Sequence, residues 1–398
     1  MKNRILVILV LGCIPLVAWA GGRNATRYPI VLSHHWSGTA ESAFRGDDVV
    51  GGDFKTWGVK QALESEGAIV YQPDKTPFAS HEVRGRLLYR KCAGDTLEEQ
   101  LCEDPEAETV DGVELAMIDY CADTRKRSAE YTSYEDCIDR VKINVICHSQ
   151  GCPDSRYMIS AVTNRLSGKP MYKHVASWTS IAGANKGNRL ADLALGLVDD
   201  CDEPECLGPD FIESMLEANG VKKNGQWVPG GYDSIVGLSR KYMTQTMDIS
   251  CNPLCEVCPP SFNRAYPNHP SIYYQSYSCR IHWPHACYEA TRLTWLLMLA
   301  LEGQNDGWMS LDSQRFLTSG SRPGDPKTYV HDRGEIQGET TVFWVSHPGI
   351  SHMGISNSRV PGLSIVDCSP ILNDPEIFYF SREGFYQDVV EDLKDKGF

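Results

Sequence analysis

The segment from Lys142 to Gly151 constrains the fold of this chain more than any other feature. It reads Lys-Ile-Asn-Val-Ile-Cys-His-Ser-Gln-Gly, so an apolar stretch typical of a buried strand leads directly into a turn that contains Ser149. A helical pattern follows from Ser155 to Leu166. A serine on a sharp turn between a strand and a helix is typical of a nucleophile elbow. Cys147 replaces the first glycine of the usual Gly-x-Ser-x-Gly pattern, and a chance Ser-x-Gly between two elements is the alternative.

Further apolar runs have the length of buried strands, and helical patterns separate some of them. The predicted strands are Ile30 to Ser33, Ala68 to Tyr71, Lys142 to Cys147, Val175 to Ile181 and Thr341 to Val345. Another helical pattern extends from Tyr288 to Leu301 and ends before Gly303. This alternation predicts an α/β fold in which helices cover both faces of a mostly parallel central sheet.

Two cysteine-rich stretches interrupt the alternation. They extend over about residues 92 to 140 and about residues 197 to 285, and we interpret them as insertions within one domain that spans residues 21 to 398. The chain has 15 cysteines, which become 14 once Cys13 leaves with the N-terminal segment, and an even number in an exported chain indicates disulfides. For Cys251, Cys255 and Cys258 a structural zinc site is the alternative.

The N-terminus has the composition of a secretory signal peptide. Lys2 and Arg4 precede a short apolar run, and residues 18 to 20 read Ala-Trp-Ala. Cleavage after Ala20 predicts a secreted or periplasmic protein. A lipidated Cys13 is the rival interpretation. The formal net charge of -14 argues against nucleic acid as a partner, because an acidic protein gains nothing from neutralising phosphates.

An activated serine needs a base, and the base needs an acid that orients it; in this kind of fold they follow in the order serine, acid, histidine. His352 lies in a loop after the last predicted strand, and His347 is its rival on the same loop. Asp306 lies in an Asn-Asp-Gly turn that follows Ser149 and precedes both histidines, with Asp312 as the fallback. The sequence therefore predicts Ser149, Asp306 and His352 as the catalytic residues.

An oxyanion hole needs backbone N–H donors from two places. The residue after the nucleophile, Gln150, is one candidate. The loop after the first strand offers Trp36 as the other, although Trp36 would equally form a wall of an acyl pocket.

Together these segments resemble the secreted triacylglycerol lipases of Pseudomonas and Burkholderia. The similar segments are Arg27 to Leu32 with His34, Ser37 and Gly38, Gly67 to Tyr71, Glu82 to Gly85, Val141 to Gly151 with Pro153, Arg156 and Tyr157, Val175 to Ser177 with Ile181, Gly183, Lys186 and Gly187, Asn305 to Gly307, and His352. The resemblance implies an α/β-hydrolase fold, the same triad and oxyanion donors, and hydrolysis of acylglycerols at a lipid–water interface. It also implies a mobile lid, which would lie within the second insertion, and it leaves a dedicated foldase open as a partner.

Three positions depart from that family. Cys147 and Cys152 stand where it has glycines, which leaves open either a disulfide across the elbow or two buried small side chains. Gly354 occupies the position of a calcium-binding aspartate, so a calcium site of that form is not expected and no cofactor is predicted. His-Met-Gly-Ile from His352 and Ala-Gly-Ala-Asn from Ala182 resemble instead the small calcium-independent lipases of Bacillus.

The predicted function is hydrolysis of carboxylic esters through an acyl-enzyme, as a triacylglycerol lipase or esterase acting on an ester or lipid substrate. A hydrolase of polyesters, such as cutin or polyhydroxyalkanoates, or of short-chain esters is one alternative. The other is a binding protein that has the hydrolase scaffold but no catalytic activity.

Overall fold

Six parallel strands form the central sheet of the computed structural model, which describes residues 22–44, 58–104, 106–197, 209–251, 257–282, 289–316, 330–337, 339–340, 349–356 and 378–398. In chain order the strands are β1 (Ile30–Ser33), β2 (Val70–Tyr71), β3 (Ile143–His148), β4 (Val175–Ile181), β5 (Tyr273–Ser278) and β6 (Val330–Glu335). Their order across the sheet is β6-β5-β4-β3-β1-β2, and each neighbouring pair is parallel. The strand that leads into Ser149 therefore lies near the middle of the sheet.

The central strands are apolar because both of their faces are buried. Successive side chains of a strand point to opposite faces. Leu32 and Ile146 pack in one cluster, whereas Val31 and Val145 pack in a second cluster on the other face. All four side chains are fully buried. Strands of this kind appear in the sequence as continuous apolar runs rather than as alternating patterns.

Helices cover both faces of the sheet. α2, α4 and α6 contribute to the cluster around Val31, and α1 and α14 contribute to the cluster around Leu32. The helices are α1 (Val59–Ser65), α2 (His81–Tyr89), α3 (Leu97–Gln100), α4 (Val113–Ala122), α5 (Tyr134–Arg140), α6 (Gly151–Ala161), α7 (Arg189–Ala194), α8 (Pro209–Ala218), α9 (Gly231–Leu238), α10 (Arg240–Thr244), α11 (Phe262–Ala265), α12 (Glu289–Glu302), α13 (Leu311–Arg315) and α14 (Arg382–Asp395). This strand order and helical cover are those of an α/β-hydrolase fold, as the sequence predicts.

Short ladders and turns complete the described structure. Three antiparallel pairs join Lys91–Cys92 with Thr109–Asp111, Lys222–Lys223 with Gln226–Trp227, and Glu339–Thr340 with Phe378–Tyr379. Two 3-10 helices extend over Met171–His174 and Gly354–Ser356. None of the helices in the described ranges is both long enough and apolar enough to cross a membrane.

The predicted elements agree with the structure where the pattern is apolar. The bounds of β1 and β4 are those predicted, and α12 differs by one residue at each end. The helix predicted from Ser155 begins earlier, at Gly151. Pro153 permits this start because it lies in the first turn, where a missing N–H costs no helical hydrogen bond. The strand predicted from Thr341 to Val345 lies outside the described residues, as does the predicted signal peptide.

The predicted extent of the second insertion is wrong at its C-terminal end. Tyr273–Ser278 lies within that stretch, yet it is β5, between β4 and β6 of the central sheet. Its sequence Tyr-Tyr-Gln-Ser-Tyr-Ser has no apolar run. It can still occupy the central sheet because neighbouring elements provide hydrogen bonds for its polar side chains. Gln275 Nε2 donates to Thr179 Oγ1 at 3.0 Å, and Ser276 Oγ donates to the Arg315 carbonyl at 2.8 Å. The insertion therefore ends before residue 273 rather than at 285.

Disulfides connect cysteines in both cysteine-rich stretches, as predicted. The bonded pairs are Cys92–Cys102, Cys121–Cys137, Cys147–Cys152 and Cys251–Cys258. The last pair gives two of the three cysteines of the alternative zinc site to a disulfide, and Cys255 lies outside the described residues. The third pair is the disulfide across the elbow that the sequence left open.

Candidate active site

Ser149 lies in a sharp turn between β3 and α6. Its φ of 54° is in the left-handed region, a conformation that costs a non-glycine residue about 1–3 kcal/mol and is concentrated at functional sites. Gly151 permits the close approach of α6 to β1, because a Cβ atom there would lie 2.3 Å from the carbonyl oxygen of Ser33. The turn places the serine hydroxyl beyond the carboxyl end of the strand.

The three residues predicted as a catalytic triad are in hydrogen-bond contact. His352 Nε2 lies 2.7 Å from Ser149 Oγ, and His352 Nδ1 lies 2.7 Å from Asp306 Oδ2. All three side chains are buried. This geometry allows the imidazole to accept the serine proton at one nitrogen while the other nitrogen donates to the carboxylate.

The loop of Asp306 holds its carboxylate in place through backbone groups. Oδ1 accepts hydrogen bonds from the N–H groups of Trp308 at 3.0 Å and Met309 at 2.7 Å. The backbone N–H of His352 also donates to the Asp306 carbonyl at 2.9 Å. Because Oδ1 is occupied in this way, Oδ2 is the oxygen that faces the imidazole.

Three other buried histidines lie nearby in the chain, since His34 and His35 precede Trp36 and His148 precedes Ser149. Burial, together with the nearby imidazole of His352, lowers the pKa of His35 to about 3 and that of His148 well below its ordinary value. Burial and the cation of Lys75 likewise lower the pKa of His34. These three rings remain neutral, whereas His352 Nδ1 is hydrogen-bonded to the Asp306 carboxylate and its Nε2 faces Ser149 Oγ. His352 is therefore the imidazole suited to act as a base.

His148 supports the loop that carries His352. Its Nε2–H donates to the carbonyl oxygen of His352 at 3.0 Å, and the two ring centroids are 4.8 Å apart. Since His148 directly precedes Ser149, this bond joins the loop of His352 to the segment that carries Ser149.

The predicted oxyanion donors, Trp36 and Gln150, have backbone N–H groups to which no acceptor is bonded within the described part of the chain. Arg84 Nη2 donates to the carbonyl of His35 at 2.9 Å and to that of His34 at 3.2 Å. In a trans peptide the N–H points away from the preceding C=O. By binding the His35 carbonyl, Arg84 thus sets the direction of the Trp36 N–H.

A buried ion network connects this loop to α6. Arg84 Nε and Lys75 Nζ lie 2.7 Å and 3.0 Å from the same oxygen of Asp154, and His81 Nδ1 lies 3.0 Å from the other oxygen. Burial alone would raise the pKa of Asp154, but the cations of Arg84 and Lys75 and the hydrogen bond from His81 outweigh it, so the pKa is well below its ordinary value. The carboxylate stays charged and, through Arg84 and Lys75, fixes the loop that contains His34 and His35 relative to the helix that follows Ser149.

An apolar cavity extends from the triad. Its empty volume, including the solvent-open mouth, is about 630 Å³, and Ser149 and His352 lie in its wall. The apolar lining includes Leu190, Met215, Leu216, Ile235, Leu238 and Trp308. Several of these side chains come from α8 and α9, so part of the second predicted insertion forms a wall of this cavity.

The alternatives for the acid and the base have other positions. Asp312 binds Lys186 Nζ at 2.7 Å and Arg240 Nη2 at 2.5 Å, so it is part of an ion cluster rather than the partner of His352. His347 lies outside the described residues. Searched over the described ranges, the histidine, cysteine and acidic side chains include no group of three placed to hold a metal ion.

Arg84 and Cys279 contact other residues of the candidate site, and the sequence does not predict these contacts. The sequence assigns Arg84 to a similar segment without a role, and it groups Cys279 with the cysteines of the second stretch, for which disulfides are predicted. That prediction is wrong for Cys279, which is a free cysteine among the described residues and contacts Asp306 through its thiol. No local pattern marks Cys279, because an even number of cysteines gives no sign that one of them lacks a disulfide partner.

Comparison with known proteins finds similarity to lipases over part of the chain. A family model described as lipase (class 2) matches residues 130–227. A triacylglycerol lipase of Vibrio cholerae serotype O1 is 28% identical over 205 residues, which cover 49% of this chain and 48% of that protein. The chain thus aligns with about half the length of this relative, and the aligned half is similar to a lipase.

Solved structures of lipases and esterases are similar over most of the chain at low identity. Lipase 1 of Pelosinus fermentans is 16% identical, with a TM-score of 0.48 over 93% of this chain and 99% of that chain. The lipase of Staphylococcus hyicus is 17% identical, with a TM-score of 0.45 over 93% of this chain and 96% of that chain. A metagenomic carboxyl esterase is 13% identical, with a TM-score of 0.47 over 93% and 76% of the two chains.

Proposed function

We propose that this protein is a serine hydrolase that cleaves carboxylic esters, with Ser149 as nucleophile, His352 as base and Asp306 as the acid that orients it. The observation that carries the proposal is the unbroken hydrogen-bond relay, 2.7 Å at each step, that ends at a serine hydroxyl in the wall of an apolar cavity. The apolar cavity suits an acyl chain, and the relay suits an attack on its carbonyl group.

The proposed reaction has two steps. As Ser149 Oγ attacks the ester carbonyl, its proton passes to His352 Nε2, and the N–H groups of Trp36 and Gln150 stabilise the oxyanion. The carbon–oxygen bond to the alcohol then breaks, and His352 returns the proton to the leaving oxygen. Water repeats the sequence on the acyl-enzyme, which releases the acid and restores the serine hydroxyl.

The substrate class is a triacylglycerol or a simpler ester. The apolar cavity and the similarity to a class 2 lipase and to a triacylglycerol lipase support a lipase or esterase.

We also propose, from the sequence resemblance, a relationship to the lipases of Pseudomonas and Burkholderia, export across a membrane, and action at a lipid–water interface. A requirement for a foldase is a further proposal, and expression with and without a periplasmic chaperone tests it.

The experiment compares hydrolysis of p-nitrophenyl butyrate and octanoate by the wild type, Ser149→Ala and Ser160→Ala. Ser160 is exposed on the same helix as the elbow and serves as the matched control. We expect Ser149→Ala to lose activity by at least about 10³-fold with an unchanged Tm, and Ser160→Ala to match the wild type. Retention of activity in folded Ser149→Ala would refute the proposed function.

A further inference from the structure

The side-chain amide of Gln314, on α13, is fully buried and hydrogen-bonded at both ends. Its Oε1 accepts from the N–H of Cys279 at 2.7 Å, and its Nε2 donates to the carbonyl of Cys279 at 3.0 Å. Nε2 also donates to the carbonyl of Met309 at 2.8 Å. A primary amide provides one acceptor group and two donor hydrogens at the end of a side chain, so these three bonds use the whole amide.

The two residues that this amide binds each contact one oxygen of the Asp306 carboxylate. The Met309 N–H donates to Oδ1 at 2.7 Å, and the Met309 carbonyl accepts from the Asp306 N–H at 3.2 Å, which closes the turn. The Cys279 thiol lies 3.5 Å from Oδ2, the oxygen that faces His352. The Gln314 amide thus joins a contact on one carboxylate oxygen to a contact on the other.

Cys279 also begins a short segment after β5 that is bonded to the loops of both the proposed acid and the proposed base. The N–H of Ile281 donates at 3.0 Å to the carbonyl of Asn305, in the loop of the acid. The carbonyl of Arg280 accepts at 3.0 Å from the N–H of Ile350, in the loop of the base. A displacement of this segment would therefore move the acid and the base relative to each other.

We propose that Gln314 is a positioning residue: through Cys279 and Met309, its amide fixes the direction in which the carboxylate of the proposed acid faces the base. The proposal rests on the proposed ester hydrolysis and assigns a residue to the support of its triad. A hydrogen bond weakens steeply as its angle departs from linearity, so the imidazole keeps its orientation only if the carboxylate keeps its own. A misplacement of about 1 Å caused far from the reacting atoms can lower a rate by about 10²-fold.

A role in stability alone is the competing explanation, because a buried amide that satisfies backbone groups also stabilises the fold. Gln275 provides the comparison. It is likewise fully buried, on β5, and its Nε2 donates to Thr179 Oγ1 at 3.0 Å rather than to a residue that contacts the acid. Replacement of either glutamine should lower the Tm, whereas only replacement of Gln314 should lower kcat.

The test compares the wild type, Gln314→Met and Gln275→Met in hydrolysis of p-nitrophenyl octanoate and in Tm. Methionine is as long and as flexible as glutamine but cannot make the amide's hydrogen bonds. We expect Gln314→Met to lower kcat by about ten- to 100-fold while KM changes by less than about two-fold, and Gln275→Met to keep the wild-type kcat. Wild-type kcat in folded Gln314→Met, or an equal loss of kcat in both variants, would overturn the proposal.

A milder pair of variants keeps the comparison available if Gln314→Met does not fold. Gln314→Asn and Gln275→Asn each retain a buried amide, but the side chain is one methylene group shorter. Gln314→Asn cannot keep its bonds to both Cys279 and Met309, so its kcat should fall while that of Gln275→Asn does not. The same two outcomes, wild-type kcat in Gln314→Asn or an equal loss in both variants, count against the positioning role.

A double-mutant cycle with Asp306→Ala tests whether the effect passes through the carboxylate. In the Asp306→Ala background, Gln314→Met should lower kcat by less than about two-fold further, because residues that act as a unit have non-additive effects. The same fold-loss with and without Asp306 would contradict the proposal. If the wild type hydrolyses no ester, or if Asp306→Ala keeps full activity, the proposed function itself fails, and that outcome is distinct from normal hydrolysis by Gln314→Met.

Discussion

The Cys279 thiol and the Asp306 carboxylate lie in contact, with Sγ 3.5 Å from Oδ2. The same oxygen accepts from His352 Nδ1 at 2.7 Å. Burial and the negative charge of Asp306 raise the pKa of Cys279 well above its ordinary value, so the thiol keeps its proton and donates it to the carboxylate. Cys279 is also a free cysteine among the described residues. The thiol is therefore a positioning group behind the proposed catalytic acid.

Replacement of Cys279 tests this contact. We expect Cys279→Ala to reduce kcat about two- to five-fold with KM unchanged, because a hydrogen bond to the carboxylate worth about 0.5–1 kcal/mol is lost. Cys279→Ser retains a donor and should recover most of kcat. Steady-state kinetics on one p-nitrophenyl ester measures both values. If alanine and serine lower the Tm equally and leave kcat unchanged, the thiol has only a packing role.

Replacement of Arg84 tests the proposed oxyanion hole. Arg84→Lys keeps a cation near Asp154 but loses the planar group that binds the His34 and His35 carbonyls, so the Trp36 N–H loses its fixed direction. We expect kcat to fall by about 10²-fold with KM little changed, as after loss of an oxyanion donor. Arg86→Lys is the control, because Arg86 is exposed on the same helix. Wild-type kcat in folded Arg84→Lys would exclude this role.

The Cys147–Cys152 disulfide joins the end of β3 to the first turn of α6 across Ser149, and both sulfur-bearing residues are fully buried. We expect Cys147→Ala/Cys152→Ala to lower the free energy of unfolding by about 2 kcal/mol, the value for closing so short a loop in the unfolded chain. Urea denaturation followed by fluorescence measures the change. The native protein should also keep its activity in a phosphine reductant, since the bond is buried. Unchanged stability of the double variant would contradict a bracing role for the disulfide.

Because His34, His35 and His148 are neutral in the folded protein, we expect the free energy of unfolding to decrease in acid. In the unfolded chain His34, His35 and His148 take up protons near pH 6.5, whereas their lowered pKa values keep them neutral in the folded protein. Because the unfolded state then binds more protons, the free energy of unfolding falls as the pH decreases below 6.5. The slope reaches at most about 1.4 kcal/mol per pH unit for each histidine.

Urea denaturation at pH 7.0, 6.0 and 5.0 measures this dependence. His35→Gln removes one of the three groups and should make the decline shallower, while His331→Gln, at an exposed position of β6, should leave it unchanged. A free energy of unfolding that is constant from pH 7 to pH 5 would show that the three rings are protonated in the folded state.

The sequence predicts best the parts of the fold that depend on local pattern. β1 and β4 are buried on both faces and therefore appear as apolar runs with clear ends. The turn at Ser149 needs small neighbouring residues, and Gly151 in the sequence indicates this turn. β5 could not be recognised in this way, because contacts with Thr179 and Arg315, far away in the chain, satisfy its polar side chains.

Within the candidate site, chain order and local pattern favour Asp306 and His352 and leave Asp312 and His347 as alternatives, but they do not indicate the supporting groups. The contact of Cys279 with Asp306 joins positions 27 residues apart, and that of Arg84 with the His35 carbonyl joins positions 49 apart. Neither contact has a spacing or a residue pattern of its own. The pairing of Asp154 with Arg84 and Lys75 likewise depends on how α2 packs on α6, which only the folded chain shows.

The most direct test of the proposed chemistry is to trap the acyl-enzyme. Rapid mixing with p-nitrophenyl octanoate followed by acid quench and mass spectrometry should show one octanoyl group per chain, on the peptide that contains Ser149, together with a burst of about one equivalent of p-nitrophenol. Ser149→Ala should show neither. Turnover without a covalent intermediate, or an octanoyl group on another residue, would contradict the assignment of Ser149 as the nucleophile.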